Sequence, residues 1–505
     1  MRAALVLLAG LGLALAAAAG AARPERTDRG ELLLGTRAAD VLVARGGADR
    51  VVAWGDGRRD TVLCGPGADL VNAERNDRVG GDCETVVRQL ARDATTAPGA
   101  QHGTLAEPDS EAAGRTVVTV FQSGRYRSGG AAAIGFATSR DAGVSWVEGL
   151  LPPSPRHGRQ SDPVVAYDAM RGAWLASTLG IGAGGATALL LYRSSDGIRW
   201  QGPAEAAAAE GSGGGFDKQW LVCDGGVASP FRGRCYLAYT DLTTAAIALR
   251  SSPDGGVTWS QPAHGPPSTR GAVGAYPVVR PNGDLLVLYT DADAGITVLR
   301  STDGAASLVR AERLAPLASA APQRLRAPVL VAADADTQGR VVAVWQGCSL
   351  RRACDGNDVL FAESPDGVSW SAPRALPTRS TGNAFAPTVA VEPATGRLAV
   401  LYYAATGCPA CRVDAWVLES ADGRRWTAPL RLSARGSRPE WMPQTTQGAM
   451  LADYVSISWV AGRPLAVVAL AEEPLPGGRL RQAIFAASRL DPLRAVRSRR
   501  DARRS

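Results

Sequence analysis

Histidine is nearly missing from this chain: His102, His157 and His264 are the only three among 505 residues. No Ser/His/Asp constellation stands out, and a metal site built on cysteine would find few imidazole partners. Methionine (4) and phenylalanine (7) are also scarce, while glycine (58) and proline (32) are frequent, which suits many short strands joined by turns. The hydrophobic share of 46% is still ample for a large core and for more than one domain. Past the N-terminus no apolar stretch is long enough to cross a membrane, so no membrane span is expected. Basic residues are scattered and aspartate is abundant, so a net charge of +7 gives little support to nucleic-acid binding.

The two ends differ from the rest. Residues 1–22 read as a signal peptide: Arg2, an apolar run from Ala3 to Ala19, and the small residues Ala19-Gly20-Ala21 as a cleavage site. Residues 491–505 form a basic tail expected to be disordered, which could also touch anionic surfaces. A secreted, extracellular chain is the expectation, and the cysteines agree. Eight of them fall into near pairs, Cys64/Cys83, Cys223/Cys235, Cys348/Cys354 and Cys408/Cys411, as local disulfides would. The Cys408-Pro409-Ala410-Cys411 spacing also fits a redox pair or half a zinc site. No second such pair exists, which favours a disulfide that staples a loop.

One short stretch keeps returning. Ser139-Arg140-Asp141-Ala142-Gly143-Val144-Ser145-Trp146 recurs as Ser252 to Trp259 and, one residue shorter, as Ser194 to Trp200, Ser364 to Trp370 and Ser420 to Trp426. A sixth copy starts at Ser301, with Ser307 in the tryptophan position, and successive copies lie 54, 59, 48, 63 and 56 residues apart. Such a period marks a propeller or solenoid array. The Asp carboxylate can accept backbone N–H bonds, Gly takes φ > 0 freely, and Trp can pack between neighbouring sheets. The motif therefore reads as a folding staple. It resembles the Asp-box (BNR) motif of sialidases and related β-propellers.

A second repeat precedes it. Asp40, Asp49, Asp60, Asp69 and Asp77 are spaced 9, 11, 9 and 8 apart, with glycines before them and Val or Leu after most. This segment resembles, in degenerate form, the RTX-type nonapeptide that winds into a parallel β-roll. The resemblance implies Ca²⁺ held by those five aspartates and by turn carbonyls. Arg45, Arg50, Arg58, Arg59 and Arg78 put positive charge where that cation would sit. A small β-roll over residues 30–85, capped by Cys64–Cys83, is the reading adopted. Residues 86–100 suggest a short helical turn running into a linker.

From 101 to 490 the pattern is all β. Sets of strands begin near Gly103, Asp162, Gln219, Ala275, Arg326, Ala384 and Asp453, the last lacking a clear fourth strand. The expected fold is an all-β, six- or seven-bladed β-propeller, sialidase-like and with Asp boxes: the segmentation gives seven blades, the resemblance six. Radial repetition protects the sheet edges and leaves a central channel. The starts of the first strands cluster at one mouth and are polar where the strands continue apolar: Arg159, Asp162, Asp217, Lys218, Tyr276, Arg326 and Asp453-Tyr454.

The resemblance implies what such a mouth would do. Sialidases clamp a sugar carboxylate with three arginines, use a tyrosine activated by Glu as nucleophile, and an Asp as acid/base. Here Tyr454 would be the nucleophile, Arg326 a clamp and Asp162 the acid, with Arg159, Asp217, Lys218, Tyr276 and Asp453 binding ligand. Only Arg159 and Arg326 stand for the three arginines, and no Glu is evident beside Tyr454. Three readings follow: an exo-α-sialidase-like glycoside hydrolase acting on an extracellular glycan, a non-catalytic propeller that binds glycan or protein, and a wall-associated structural protein. A monomer is expected in each.

Overall fold

The structure, a computed structural model, describes residues 29–55, 57–209, 215–268 and 271–487. The signal-peptide and basic-tail readings fall outside these residues. Almost everything described is strand, with three short 3-10 turns, and among the described residues no helix is long and apolar enough to cross a membrane.

The N-terminal segment is a two-sheet parallel solenoid. Leu32–Leu34, Arg50–Ala53, Leu70–Ala73 and Thr85–Ala91 stack in one sheet, and Val41–Val43, Thr61–Leu63 and Arg78–Val79 in the other. Val51, Val62, Val71 and the Cys64–Cys83 disulfide fill the space between them. The coils stack so closely that a Cβ on Gly67 would lie 1.6 Å from the Gly47 carbonyl oxygen. The repeated aspartates tie each coil to the next. Asp69 accepts the backbone N–H of Asp49, Asp60 that of Asp40, and Asp77 that of Asp60, at 2.8, 2.8 and 2.9 Å. Asp49 in turn accepts from Glu31. Asp77 also accepts the Glu74 N–H with its second oxygen, and Asp40 accepts the N–H and the hydroxyl of Thr36 within its own turn, so both oxygens of each are engaged. By contrast Asp49 and Asp69 each keep one buried carboxylate oxygen without a partner among the described residues.

Seven antiparallel sheets follow. Their first strands are Gln101–Ala113, Arg159–Asp168, Phe216–Cys223, Ala272–Val279, Val331–Ala335, Asn383–Val391 and Ser456–Val460. Each touches the next, and the seventh touches the first, so the sheets form a closed ring of the seven sets read from the sequence. Single pairs, Ala131 with Gln160 and Gln482 with Thr104, also bridge neighbouring sheets. Between sheets the core is aromatic and β-branched, with Tyr192, Tyr236, Tyr289, Trp345, Tyr402 and Tyr403 fully buried. Each such side chain removes enough apolar surface to contribute about 1.5–3 kcal/mol.

The 86–100 segment departs from expectation. Thr85–Ala91 is a strand, not a helical turn. It is the last rung of the solenoid and also pairs antiparallel with Arg481–Ala487, supplying the fourth strand that the seventh set lacked in sequence. The β-branched run Thr85-Val86-Val87 explains the preference. Trp54 packs edge-on to Phe485 at 4.8 Å between centroids, and Asn72 exchanges two hydrogen bonds with Leu432 and Ala434. Solenoid and ring are thus one packed body along this seam.

The recurrent turns act as staples. Asp141 accepts the N–H groups of Val144 and Ser145, and the Trp146 indole N–H donates to the Gly143 carbonyl at 3.2 Å. Asp196, Asp254, Asp303, Asp366 and Asp422 accept the corresponding pairs. The Ser301 copy keeps this geometry without a tryptophan. All four cysteine pairs are disulfides, Cys408–Cys411 included.

Candidate functional site

The first strands share a local device that the sequence pattern conceals. Five of them shift register by an extra residue: between Ala106 and Asp109, Ser161 and Val164, Asp217 and Trp220, Val273 and Tyr276, and Phe385 and Thr388. At each bulge one residue takes positive φ: Glu107 (51°), Asp162 (50°), Lys218 (44°), Gly274 (78°) and Ala386 (47°). For a residue with a Cβ this conformation costs on the order of 1–2 kcal/mol. Proline follows Glu107, Asp162 and Ala386, where a missing N–H breaks no ladder bond. The bulges re-aim side chains toward the ring axis, and three of the five carry charge.

These charges meet near one end of the axis. Arg326 grips Asp453 through both carboxylate oxygens, Nε lying 2.8 and 2.9 Å away, and its Nη1 donates to Gln447 at 2.7 Å. Arg125 donates to Gln122 Oε1 at 2.5 Å, and the Gln122 amide donates to Glu107 and, at 3.1 Å, to Ser161. Lys218, the one lysine in the chain, has its ammonium 3.8 Å from the Tyr454 ring centroid and 4.1 Å from that of Trp220. That ammonium is buried without a hydrogen-bond partner among the described residues.

Four carboxylates, Glu107, Asp162, Asp217 and Asp453, thus share a space with three cations, Arg125, Lys218 and Arg326. Burial raises Glu107, with the Asp162 and Asp453 charges adding, and it raises Asp162 and Asp217 in the same way. Burial also lowers Lys218, against the pull of Asp162 and Glu107. In a cluster with one more acid than base, kept from water, burial and like charge favour the neutral form of Glu107, Asp162 and Asp217. Asp217 is half-buried and the most open of the acids, while Glu107 is 1% exposed.

Below the charged cluster, Lys218, Trp220, Tyr276 and Tyr454 narrow the axis. Beyond them lies a cavity of 260 Å³ lined by Asp109, Glu111, Asp334, Tyr276 and Trp459 among others. Burial pushes Asp109 and Asp334 up to about 6 and Glu111 to about 8. Among the described residues, no group of three or more His, Cys, Asp or Glu side chains is arranged to hold a metal ion.

Not every expected site residue joins the cluster. Asp162, Asp217, Lys218, Arg326, Asp453 and Tyr454 do. Arg159 turns away to Ser128 and Gly129, at 3.0 Å each. Tyr276 stacks on Trp220 at 4.6 Å and faces the acids of the 260 Å³ cavity. Tyr454 donates its hydroxyl to the Pro163 carbonyl at 3.0 Å, and burial with the Glu107 and Asp162 charges raises it well above an ordinary phenol. Glu107, Arg125 and Gln122 were missed. Glu107-Pro108 matches Asp162-Pro163 and Ala386-Pro387 in position, and that dipeptide was the available signal.

No family model matches the chain, and no curated protein matches it. Among solved structures, an uncharacterised protein from Dyadobacter fermentans aligns at 17% identity over 67% of this chain and 95% of that one, with a TM-score of 0.43. A Penicillium chrysogenum alpha-L-arabinanase complexed with arabinobiose aligns at 13% over 80% and 97%, TM-score 0.43. Trypanosoma rangeli sialidase in complex with sialic acid aligns at 12% over 81% and 59%, TM-score 0.45. Likeness at this level assigns neither a substrate nor an activity.

Proposed function

We propose that the closed ring is a seven-bladed β-propeller, exported to an oxidising compartment, that acts on a glycan at its charged mouth. The reading rests on one observation: three first-strand bulges turn Glu107, Asp162 and Lys218 toward the same axial space, beside Asp217, Asp453 and Arg326. Glycoside hydrolysis needs a carboxyl that keeps its proton and a second carboxylate that takes one. Burial favours the neutral form of both Asp162 and Asp217; Asp162, the more enclosed, is assigned the first role and Asp217, the more open, the second. The proton of Asp162 passes to the leaving glycosidic oxygen as the C–O bond breaks. Water adds to the anomeric carbon and gives its proton to Asp217. A carboxylate mechanism accounts for Tyr454, whose hydroxyl is committed to backbone, better than a tyrosine nucleophile does.

A second reading is a glycan-binding propeller without turnover. It draws support from Arg326, whose guanidinium is already taken by Asp453 and so offers little to a sugar carboxylate. Purified protein assayed with fluorogenic glycosides of sialic acid, α-L-arabinofuranose and common hexoses separates the two. Turnover that disappears in Asp162→Asn and Asp217→Asn supports hydrolysis. Folded protein that binds a glycan array at the mouth and turns over no glycoside leaves the binding reading.

A further inference from the structure

The opposite face of the ring carries a larger cleft. Its rim comes from the turns that follow first and third strands, whereas the charged mouth sits where first strands begin. The cleft has a volume of 740 Å³ and lies where the solenoid meets the first and seventh sheets. Arg75 and Arg88 reach it from the solenoid, Arg115 from the turn after Gln101–Ala113, and Arg463 from the turn after Ser456–Val460.

The charges in this cleft are not balanced by its acids. Asp77 spends both oxygens on the backbone of Asp60 and Glu74. Asp141 spends its own on the stapled turn, which holds it below the usual carboxylate range. Arg75 pairs with Glu148 at 3.0 Å. Arg115 and Arg463 are exposed and have no carboxylate partner among the described residues, and Arg115 makes only a 3.4 Å contact to the Asp141 carbonyl. The walls between the arginines are apolar: Val144, which is 75% exposed, with Trp146, Val460 and Pro464.

We infer that this cleft binds an acidic polysaccharide, a chain of sugars bearing carboxylate or sulfate groups. Guanidinium forks suit carboxylate and sulfate oxygens, and apolar walls suit the C–H faces of sugar rings. The site is separate from the mouth and needs no chemistry there. It would hold the protein on an anionic glycan while the mouth remains free.

Binding of full-length protein to polygalacturonate (carboxylated) and to heparin (sulfated), measured by calorimetry at physiological salt, tests the assignment. Arg115→Ala/Arg463→Ala is expected to weaken binding to at least one of the two by roughly tenfold or more, the loss of two charge-assisted contacts. Arg424→Ala/Arg425→Ala, exposed on the sixth sheet, is expected to leave binding unchanged. Equal loss in the Arg424/Arg425 control, no binding to either polymer, or equally tight binding of a single-stranded oligonucleotide would each overturn the proposal. Glycoside turnover reports on the mouth and the Arg115→Ala/Arg463→Ala loss of polymer binding reports on the cleft, so failure of the glycosidase reading and failure of this one are read separately.

Discussion

Lys218 rests its ammonium on the face of Tyr454, 3.8 Å from the ring centroid, and among the described residues no oxygen hydrogen-bonds it. The chain meets its other cationic positions with arginine, so a lysine here is a choice of size and of charge without a fork. It offsets Asp162, Glu107 and Asp453 through space.

Replacing it with Met should therefore leave buried acids uncompensated. Lys218→Met is expected to cost about 3–5 kcal/mol at neutral pH, the loss that follows breaking a buried charge set. The cost should shrink as pH falls and the acids take up protons. Urea unfolding of wild type and variant at pH 7.5 and pH 5 measures both.

Tyr454→Phe separates the two chemistries of the mouth. It removes the donor to the Pro163 carbonyl and should destabilise the fold by about 1–3 kcal/mol. Any glycosidase activity should survive it, because the phenol is not the nucleophile in a carboxylate mechanism. Loss of turnover in a folded variant would restore the tyrosine reading.

The acids of the 260 Å³ cavity make stability fall with rising pH. Glu111 near 8 and Asp109 near 6 bind protons in the folded state that the unfolded chain, at ordinary carboxylate values, has released. Between about pH 4 and 8 the folded state thus binds more protons. Stability drops across that window, by at most ~1.4 kcal/mol per pH unit for each group. Glu111→Gln should flatten the upper part, from about pH 6 to 8, in thermal melts across a pH series.

The two files of solenoid aspartates should answer calcium differently. Asp40 and Asp77 have no oxygen to spare, whereas Asp49 and Asp69 each keep one buried and unpartnered. Turn carbonyls would have to supply the remaining ligands of a six- to eight-oxygen sphere. Because no group of three acids is arranged for a metal among the described residues, calcium there would depend on those carbonyls; if it binds, millimolar Ca²⁺ raises the melting temperature of wild type and leaves Asp69→Asn unmoved. An identical melt in Ca²⁺ and in EDTA would remove calcium from the account.

Periodicity carried most of the fold. Ser-x-Asp turns and alternating apolar runs are local signals that marked the strand sets, as spaced aspartates marked the solenoid and nearness in sequence the cysteine pairs. Thr85–Ala91 was hidden because its partner, Arg481–Ala487, is nearly four hundred residues away, and no local pattern reports such a pairing. The mouth was half legible for a similar reason. Asp162, Asp217, Arg326 and Asp453 show as polar breaks in apolar strands. Glu107 joins them only because a bulge shifts its direction, and Arg159 leaves them because Ser128 and Gly129 offer it bonds nearer by.

The strand shared by solenoid and seventh sheet also bears on assembly. The solenoid's contacts are local and can form while the chain is still being made. The ring cannot shut until Ala487 has been synthesised and Arg481–Ala487 has found Thr85–Ala91. Bringing those segments together costs about 5 kcal/mol of chain entropy beyond a constant, for a loop of nearly four hundred residues. A solenoid already folded presents Thr85–Ala91 as a finished edge. The solenoid is thus the template on which Arg481–Ala487 lands, and a chain truncated before Arg481 would keep its solenoid and lose the clasp of its ring.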